Sequence, residues 1–217
     1  IRLVLYFILT NGVKRMAETI ENQQTEFSVT IPVNDLKALN LFSAKKDVRY
    51  FLNGLHIDGR YITATNGHVL MRIKHYWPAE QSFVLDSGVI VSNPILMTSR
   101  KLPNAILKFS NDCTLLKENW VQSVELIHGD NQYSQKLEII DGQYPDIERV
   151  IPKVGDLETS NAVMQGQYLE LIGKTAKLLD TKTKTVGCRI VGNKNEAQLV
   201  KINGREDVEI VVMPMNS

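Results

Sequence analysis

Apolar and polar residues alternate from Glu26 to Ile31, the period-2 pattern of a half-buried strand. Pro32 ends that run, and Asn34 is placed to cap a following helix. Leu36, Leu39 and Phe42 then recur at helical spacing, with Lys37, Lys45 and Lys46 off the stripe. Strands are predicted over Tyr50–Ile57, Tyr61–Thr65 and His68–Lys74, with Asp58-Gly59 as the hairpin turn between the first two. A second stretch starts with a strand at Gly88–Ser92 and a helix at Pro94–Leu102, whose Pro suits a first turn. Strands at Ala105–Ser110, Cys113–Lys117, Ser123–His128 and Gln135–Ile140 follow. A third stretch reads as a strand at Asn161–Gln165 and then the clearest helix of the chain, Gln167–Leu179. Tyr168, Leu171, Ile172, Thr175 and Leu178 form one face of that helix, opposite Glu170, Lys174 and Lys177. Strands at Gly187–Val191, Ala197–Asn203 and Val208–Met213 complete the pattern.

The same order, a strand, a short helix and further strands, thus occurs three times at a spacing of roughly 60–65 residues. Single helices between runs of antiparallel strands predict an α+β class, with the helices on one face of the sheets. The units share order rather than sequence.

Composition narrows the function classes. The chain has 217 residues, 43% of them hydrophobic, enough for one or two domains with a real core. Lys plus Arg is 25 and Asp plus Glu is 24, so no overall positive charge marks a nucleic-acid coat. Cys113 and Cys188 fit no metal knuckle or redox pair and read as reduced packing cysteines. His56, His68 and His75 with Asp58 have spacings unlike a compact ligand set, so no metal and no cofactor are expected. No Gly-rich phosphate loop, nucleophile elbow or kinase signature is present. The apolar run Ile1–Leu9 is too short to span a bilayer. Met16-Ala17 looks like a natural start, so residues 1–25 are expected to be a flexible or non-native extension.

Three segments carry a family resemblance. The first is Asp47-Val48-Arg49-Tyr50-Phe51-Leu52-Asn53-Gly54, followed by Thr63-Ala64-Thr65-Asn66-Gly67-His68-Val69-Leu70. The second is the run Asp141-Gly142-Gln143-Tyr144-Pro145-Asp146 with Ile147-Glu148-Arg149-Val150-Ile151-Pro152. The third is Val211-Val212-Met213-Pro214-Met215. In this order they resemble the middle domain, the linker and the C-terminus of the bacterial DNA polymerase III beta subunit, the sliding clamp family. The resemblance implies a DNA clamp fold of repeated β-α-β-β-β units and no catalysis. Residues 26–152 match the family's middle domain, and residues 153–217 match the end of its last domain at about half length. Two departures stand out. The family's Asp-Gly-His-Arg is Asn66-Gly67-His68-Val69 here, and its terminal Met-Arg-Leu is Met215-Asn216-Ser217.

By position, the resemblance implies a client-peptide cleft formed by Leu52, Thr65, Gly67, His68, Leu70, Pro145, Arg149, Val150, Val211, Val212, Met213, Pro214 and Met215. From sequence alone, Val211–Met215 reads equally as an edge strand packing into the core. The resemblance also implies contacts to DNA phosphates from Lys37, Lys45, Lys46, Arg100, Lys101, Lys174, Lys177, Lys182 and Lys184, side chains that otherwise read as solvated helix faces. The implied partners are double-stranded DNA, bound without sequence preference, and the polymerase and clamp loader. The implied location is cytoplasmic. Family rings contain twelve units, so three units per chain make a homo-oligomer of four conceivable. A clamp mimic that captures client peptides or the host clamp without encircling DNA is the alternative, and a metal-dependent hydrolase is a third.

Overall fold

The computed structural model describes residues 24–75, 88–96, 103–112, 121–128, 133–153, 162–180, 185–193 and 195–215. The first unit is β1 (Gln24–Pro32), α1 (Val33–Phe42), β2 (Gly54–Ile57), β3 (Tyr61–Thr65) and β4 (Val69–Lys74). The second holds β5 (Val89–Ser92), β6 (Asn104–Asp112), β7 (Val121–His128) and β8 (Tyr133–Leu137). The third holds α2 (Gly166–Leu179), β9 (Cys188–Val191), β10 (Gln198–Ile202) and β11 (Arg205–Val212).

All strand pairs are antiparallel, as expected for the α+β class. They form a four-stranded sheet in the order β1-β6-β7-β8 and a seven-stranded sheet in the order β5-β2-β3-β4-β11-β10-β9. The first two units exchange their leading strands, since β1 pairs with β6 of the second unit and β5 pairs with β2 of the first. The first and third units join differently: their last strands, β4 and β11, pair from Val69↔Val212 to Ile73↔Val208.

Alternation along the strands decides what each sheet face touches. Val69, Met71 and Ile73 of β4 and Val208, Ile210 and Val212 of β11 face the helices and join the main core. Leu36, Leu39 and Phe42 of α1 are fully buried in it, and Phe27 stacks on its strand partner Phe109 at 4.8 Å. On the opposite face Leu70, Val211 and Leu199 form a second small cluster, covered by Ile147 and Ile151 of the linker. Polar ties also cross the junction. Asp35 of α1, only 3% exposed, accepts two hydrogen bonds from Arg205 of β11, at 3.0 and 2.8 Å. Arg72 donates to Glu209 and to linker Glu148 and lies over the Tyr61 ring. Tyr144 of the linker stacks on His56 at 4.6 Å.

Several sequence expectations change. Pro32, not Asn34, occupies the N-cap of α1, with no side-chain cap, because the helix starts directly from the strand. Residues 50–52 form a 3-10 turn rather than the start of a strand, so β2 begins only at Gly54. Pro94, Ile95 and Leu96 are not helical, and residues 97–102 lie outside the described residues. Residues 162–165 form no strand, since within the described residues no strand lies beside them; residue 161 is outside that set. Cys188 is exposed on the outermost strand β9, not packed inside. Cys113 with the predicted strand 113–117, and residues 1–23, also lie outside the described residues. No described helix is long and apolar enough to cross a membrane, which leaves β-barrels untouched.

Candidate functional site

A cleft of about 300 Å³ opens where the β4–β11 pair meets the linker. Each wall follows from local chemistry. Asn53 holds residues 47–53 as a closed loop: its Oδ1 accepts from the Asp47 amide at 2.9 Å, and its Nδ2 donates to the Asp47 carbonyl at 3.0 Å. Gly54 follows because an added Cβ would stand 2.3 Å from the Val91 carbonyl oxygen of the neighbouring strand. This loop presents Arg49, Phe51 and Leu52 to the cleft.

The β3–β4 turn forms the next wall. Asn66 Oδ1 accepts the amides of His68 and Val69, and Thr65 Oγ1 accepts the Gly67 amide while donating to the Val69 carbonyl. The turn uses Asn66 only as an acceptor, so the amide does here what a carboxylate would do. Gly67 has φ +91°, and a Cβ there would meet Arg49 Nη1 at 2.9 Å. Arg49 also pairs with Asp47 at 2.9 Å. Its side-chain hydrogen bonds hold the Asp47 carboxyl down to about 2. The pair holds the Arg49 guanidinium beside a mostly apolar lining whose other polar side chains are Thr65, His68 and Asp146.

Of the thirteen residues expected at the cleft, nine line it: Leu52, Thr65, Gly67, His68, Leu70, Pro145, Val150, Val211 and Met213. Four do not. Val212 is fully buried on the helix side of β11, because neighbours on a strand point to opposite faces. Arg149 has an 83% exposed side chain and turns to Asp146 at 2.8 Å. Pro214 and Met215 run past the cleft, where the Met215 amide donates to the Val163 carbonyl at 2.8 Å. Five lining residues were not foreseen: Arg49, Phe51, Val69, Asp146 and Ile147. All five lie inside the first two of the three matching segments, so their position was the available signal.

Of the nine basic residues, Lys37 is half-buried on α1, and Lys45 and Lys46 are exposed in the loop after it. Lys174 and Lys177 are exposed on α2, which packs against α1, and Lys174 pairs with Glu170 at 2.7 Å. Arg100, Lys101, Lys182 and Lys184 lie outside the described residues. Among the described residues no group of three or more His, Cys, Asp or Glu is arranged to hold a metal ion.

No protein-family model matches the chain. The beta sliding clamp of Treponema pallidum is 31% identical over 169 residues, covering 73% of this chain and 42% of that protein. The beta sliding clamp of Escherichia coli K12 is 26% identical over 198 residues, covering 87% of this chain and 50% of that protein. The chain therefore spans about half the length of the curated relatives it matches. Among solved structures, a DNA polymerase sliding clamp of Pseudomonas aeruginosa superposes with a TM-score of 0.57 at 20% identity, covering 88% of this chain and 66% of that one. The DNA polymerase III subunit beta of Borrelia burgdorferi does so with a TM-score of 0.54 at 17% identity, covering 90% and 64%. At these identities the structures show a shared fold. By sequence over about half their length, and by fold, the chain is similar to the bacterial beta sliding clamps.

Proposed function

We propose that this chain is a non-catalytic, clamp-like processivity factor that encircles duplex DNA as a closed homo-oligomer and docks client proteins through the cleft. Residues 26–152 serve as its middle-type domain and residues 153–217 as a half-length last domain, and the protein works in the cytoplasm without a cofactor. The observation that carries the reading is the cleft itself. Three stretches far apart in sequence, around Leu52–Leu70, Pro145–Val150 and Val211–Met213, converge on one mostly apolar groove at the junction of two units. Such a groove suits a short linear peptide with Leu or Phe anchors. Met213, 44% exposed, offers an adaptable wall for more than one client. The clients are the polymerase and the clamp loader. Half-buried Lys37 of α1, exposed Lys45 and Lys46 after it, and exposed Lys174 and Lys177 of α2 contact phosphates without reading bases, which permits sliding.

Two measurements test this. A fluorescent peptide carrying a clamp-binding motif gains anisotropy with the protein, and Met213→Ala weakens it several-fold; absence of binding at the highest soluble concentration rejects the cleft. The protein is retained on circular DNA, lost from linear ends, and released by salt; Lys174→Glu with Lys177→Glu lowers retention. Unchanged retention in that variant removes these lysines from the DNA path. A second reading is a clamp mimic that binds client peptides or the host clamp without encircling DNA. It predicts peptide binding with no topological retention on circles.

A further inference from the structure

The linker supplies one wall of the cleft through Pro145, Asp146, Ile147 and Val150. Little holds that wall in place. Of residues 141–150, only Tyr144 and Ile147 are not exposed. Among the described residues, no main-chain hydrogen bond ties residues 141–146 to a strand. Ile147 packs on the small cluster of Leu70, Leu199 and Val211, and Glu148 adds a tie to Arg72. Both lie on the C-terminal side of Pro145. On its N-terminal side the anchor is Tyr144, and the seat of Tyr144 is His56. The two rings are 4.6 Å apart and within 9° of parallel.

His56 is closely confined. Its side chain is 14% exposed. A Cβ on Gly88 would stand 2.2 Å from Nε2, so only glycine, at φ +70°, lets the backbone pass this edge of the ring. Among the described residues, Nδ1 is buried without a hydrogen-bond partner. Asp58 Oδ2 lies 3.9 Å away, beyond hydrogen-bond reach. The carboxylate is not free to close that gap, because Asp58 Oδ1 accepts the Arg60 and Tyr61 amides, both at 2.7 Å. A charged ring seeking this partner must itself move, and Tyr144 then loses its flat support.

We propose that His56 is a positioning residue for the cleft: as a neutral ring it seats Tyr144 and with it the Pro145 wall, and as a cation it gives up that seat, so acid weakens client docking. This rests on the peptide-docking reading above and adds its regulation. The groups facing the imidazole are few. Asp58 faces it from the β2–β3 turn, and the Tyr144 phenol from the linker, kept neutral because burial raises its pKa. Its strand neighbours, Thr63 on β3 and Ile90 on β5, carry no charge. Burial lowers the His56 pKa, and Asp58 offsets only part of that. The neutral seat is therefore fully present above the ordinary imidazole pKa of about 6.5 and is lost as pH falls towards the lower value of the seated state. With an ordinary pKa once released, the unseated state gains up to about tenfold between about pH 7.5 and about pH 5.5.

The test follows the histidine and tyrosine ring signals of the full chain by NMR from about pH 8 to about pH 5. His56 is assigned by its loss in His56→Gln, which keeps a planar, uncharged group beside Gly88, and Tyr144 by its loss in Tyr144→Phe. The expected result is that the Tyr144 signals lose their upfield stacking shift along the titration curve of His56, and stay still over that range in His56→Gln. Coupling is reciprocal, so Tyr144→Ala raises the His56 pKa, whereas Tyr144→Phe, which keeps the ring, does not. In parallel, anisotropy of the fluorescent clamp-motif peptide gives its Kd at both ends of the range. Wild type weakens several-fold in acid, and His56→Gln less than half as much, the remainder coming from His68 in the cleft. Tyr144 signals that stay still while His56 titrates, as a cation–π pair would hold them, overturn the proposal, and so does equal weakening in both proteins. No peptide binding at any pH rejects the cleft reading instead, and the ring signals alone then decide whether His56 seats the linker.

Discussion

Replacing Asp35 with alanine removes the one carboxylate that ties α1 of the first unit to β11 of the third. The residue is 3% exposed and accepts both hydrogen bonds from Arg205, at 3.0 and 2.8 Å. Burial lowers the Arg205 pKa and its two carboxylate partners raise it; a guanidinium is not deprotonated in a protein, so Arg205 stays charged when Asp35 goes. Breaking a buried pair costs about 3–5 kcal/mol, because the remaining charge is left without its partner. Here Arg205 keeps Asp207 at 2.8 Å, and its side chain is 20% exposed. Those two facts reduce the expected loss to about 2–3 kcal/mol. With a urea slope of about 2 kcal/mol/M, the midpoint falls by about 1 M. Equilibrium urea unfolding of Asp35→Ala, Arg205→Ala and the double variant measures both the loss and the coupling. Coupling of about 2 kcal/mol supports the tie. A loss below about 0.5 kcal/mol, with additive single variants, refutes the argument that this pair holds the two units together.

Other outcomes follow from the same geometry. Glu209 and Asp207 sit below their ordinary pKa; burial would raise both, but hydrogen bonds from Lys201 and Arg72 to Glu209, and from Arg205 to Asp207, outweigh it. Their contribution is present above the unfolded carboxylate pKa of about 4 and is lost as pH falls through the lower folded values. Urea midpoints should therefore fall across that acid range, and Glu209→Gln should flatten the decline. Gly67→Ala should lower stability by about 1 kcal/mol or more, because φ +91° strains an L side chain, and should displace the Arg49 guanidinium; thermal melting and peptide anisotropy read the two effects. Leu52→Ala should cost about 2–4 kcal/mol, since the side chain is 1% exposed. Met213→Ala, at a half-exposed site, should leave the melting temperature nearly unchanged while weakening peptide, so the pair separates the cleft's wall from its support.

What the linear pattern determined was the order of the elements. Period-2 and period-3.6 spacing marked β1, α1 and α2, and Asp58-Gly59 marked the β2–β3 hairpin, because these signals act between near neighbours. The matching segments also named most of the cleft, since Thr65, Asn66 and Gly67 build their turn from bonds within five residues. Local pattern failed where the answer lay in another part of the chain. Nothing near Val211 and Val212 says which one faces the cleft; the pairing of β11 with β4 puts Val211 beside Leu70 and sends Val212 into the core. Nothing near Cys188 says that it is exposed, because that depends on which strands lie beside β9, and among the described residues only β10 does. Asp35 and Arg205, 170 residues apart, meet only when the first and third units join. Sequence fixes which side chains each strand offers, whereas register and sheet order decide which of them meet, because a strand's neighbours are chosen by the whole fold.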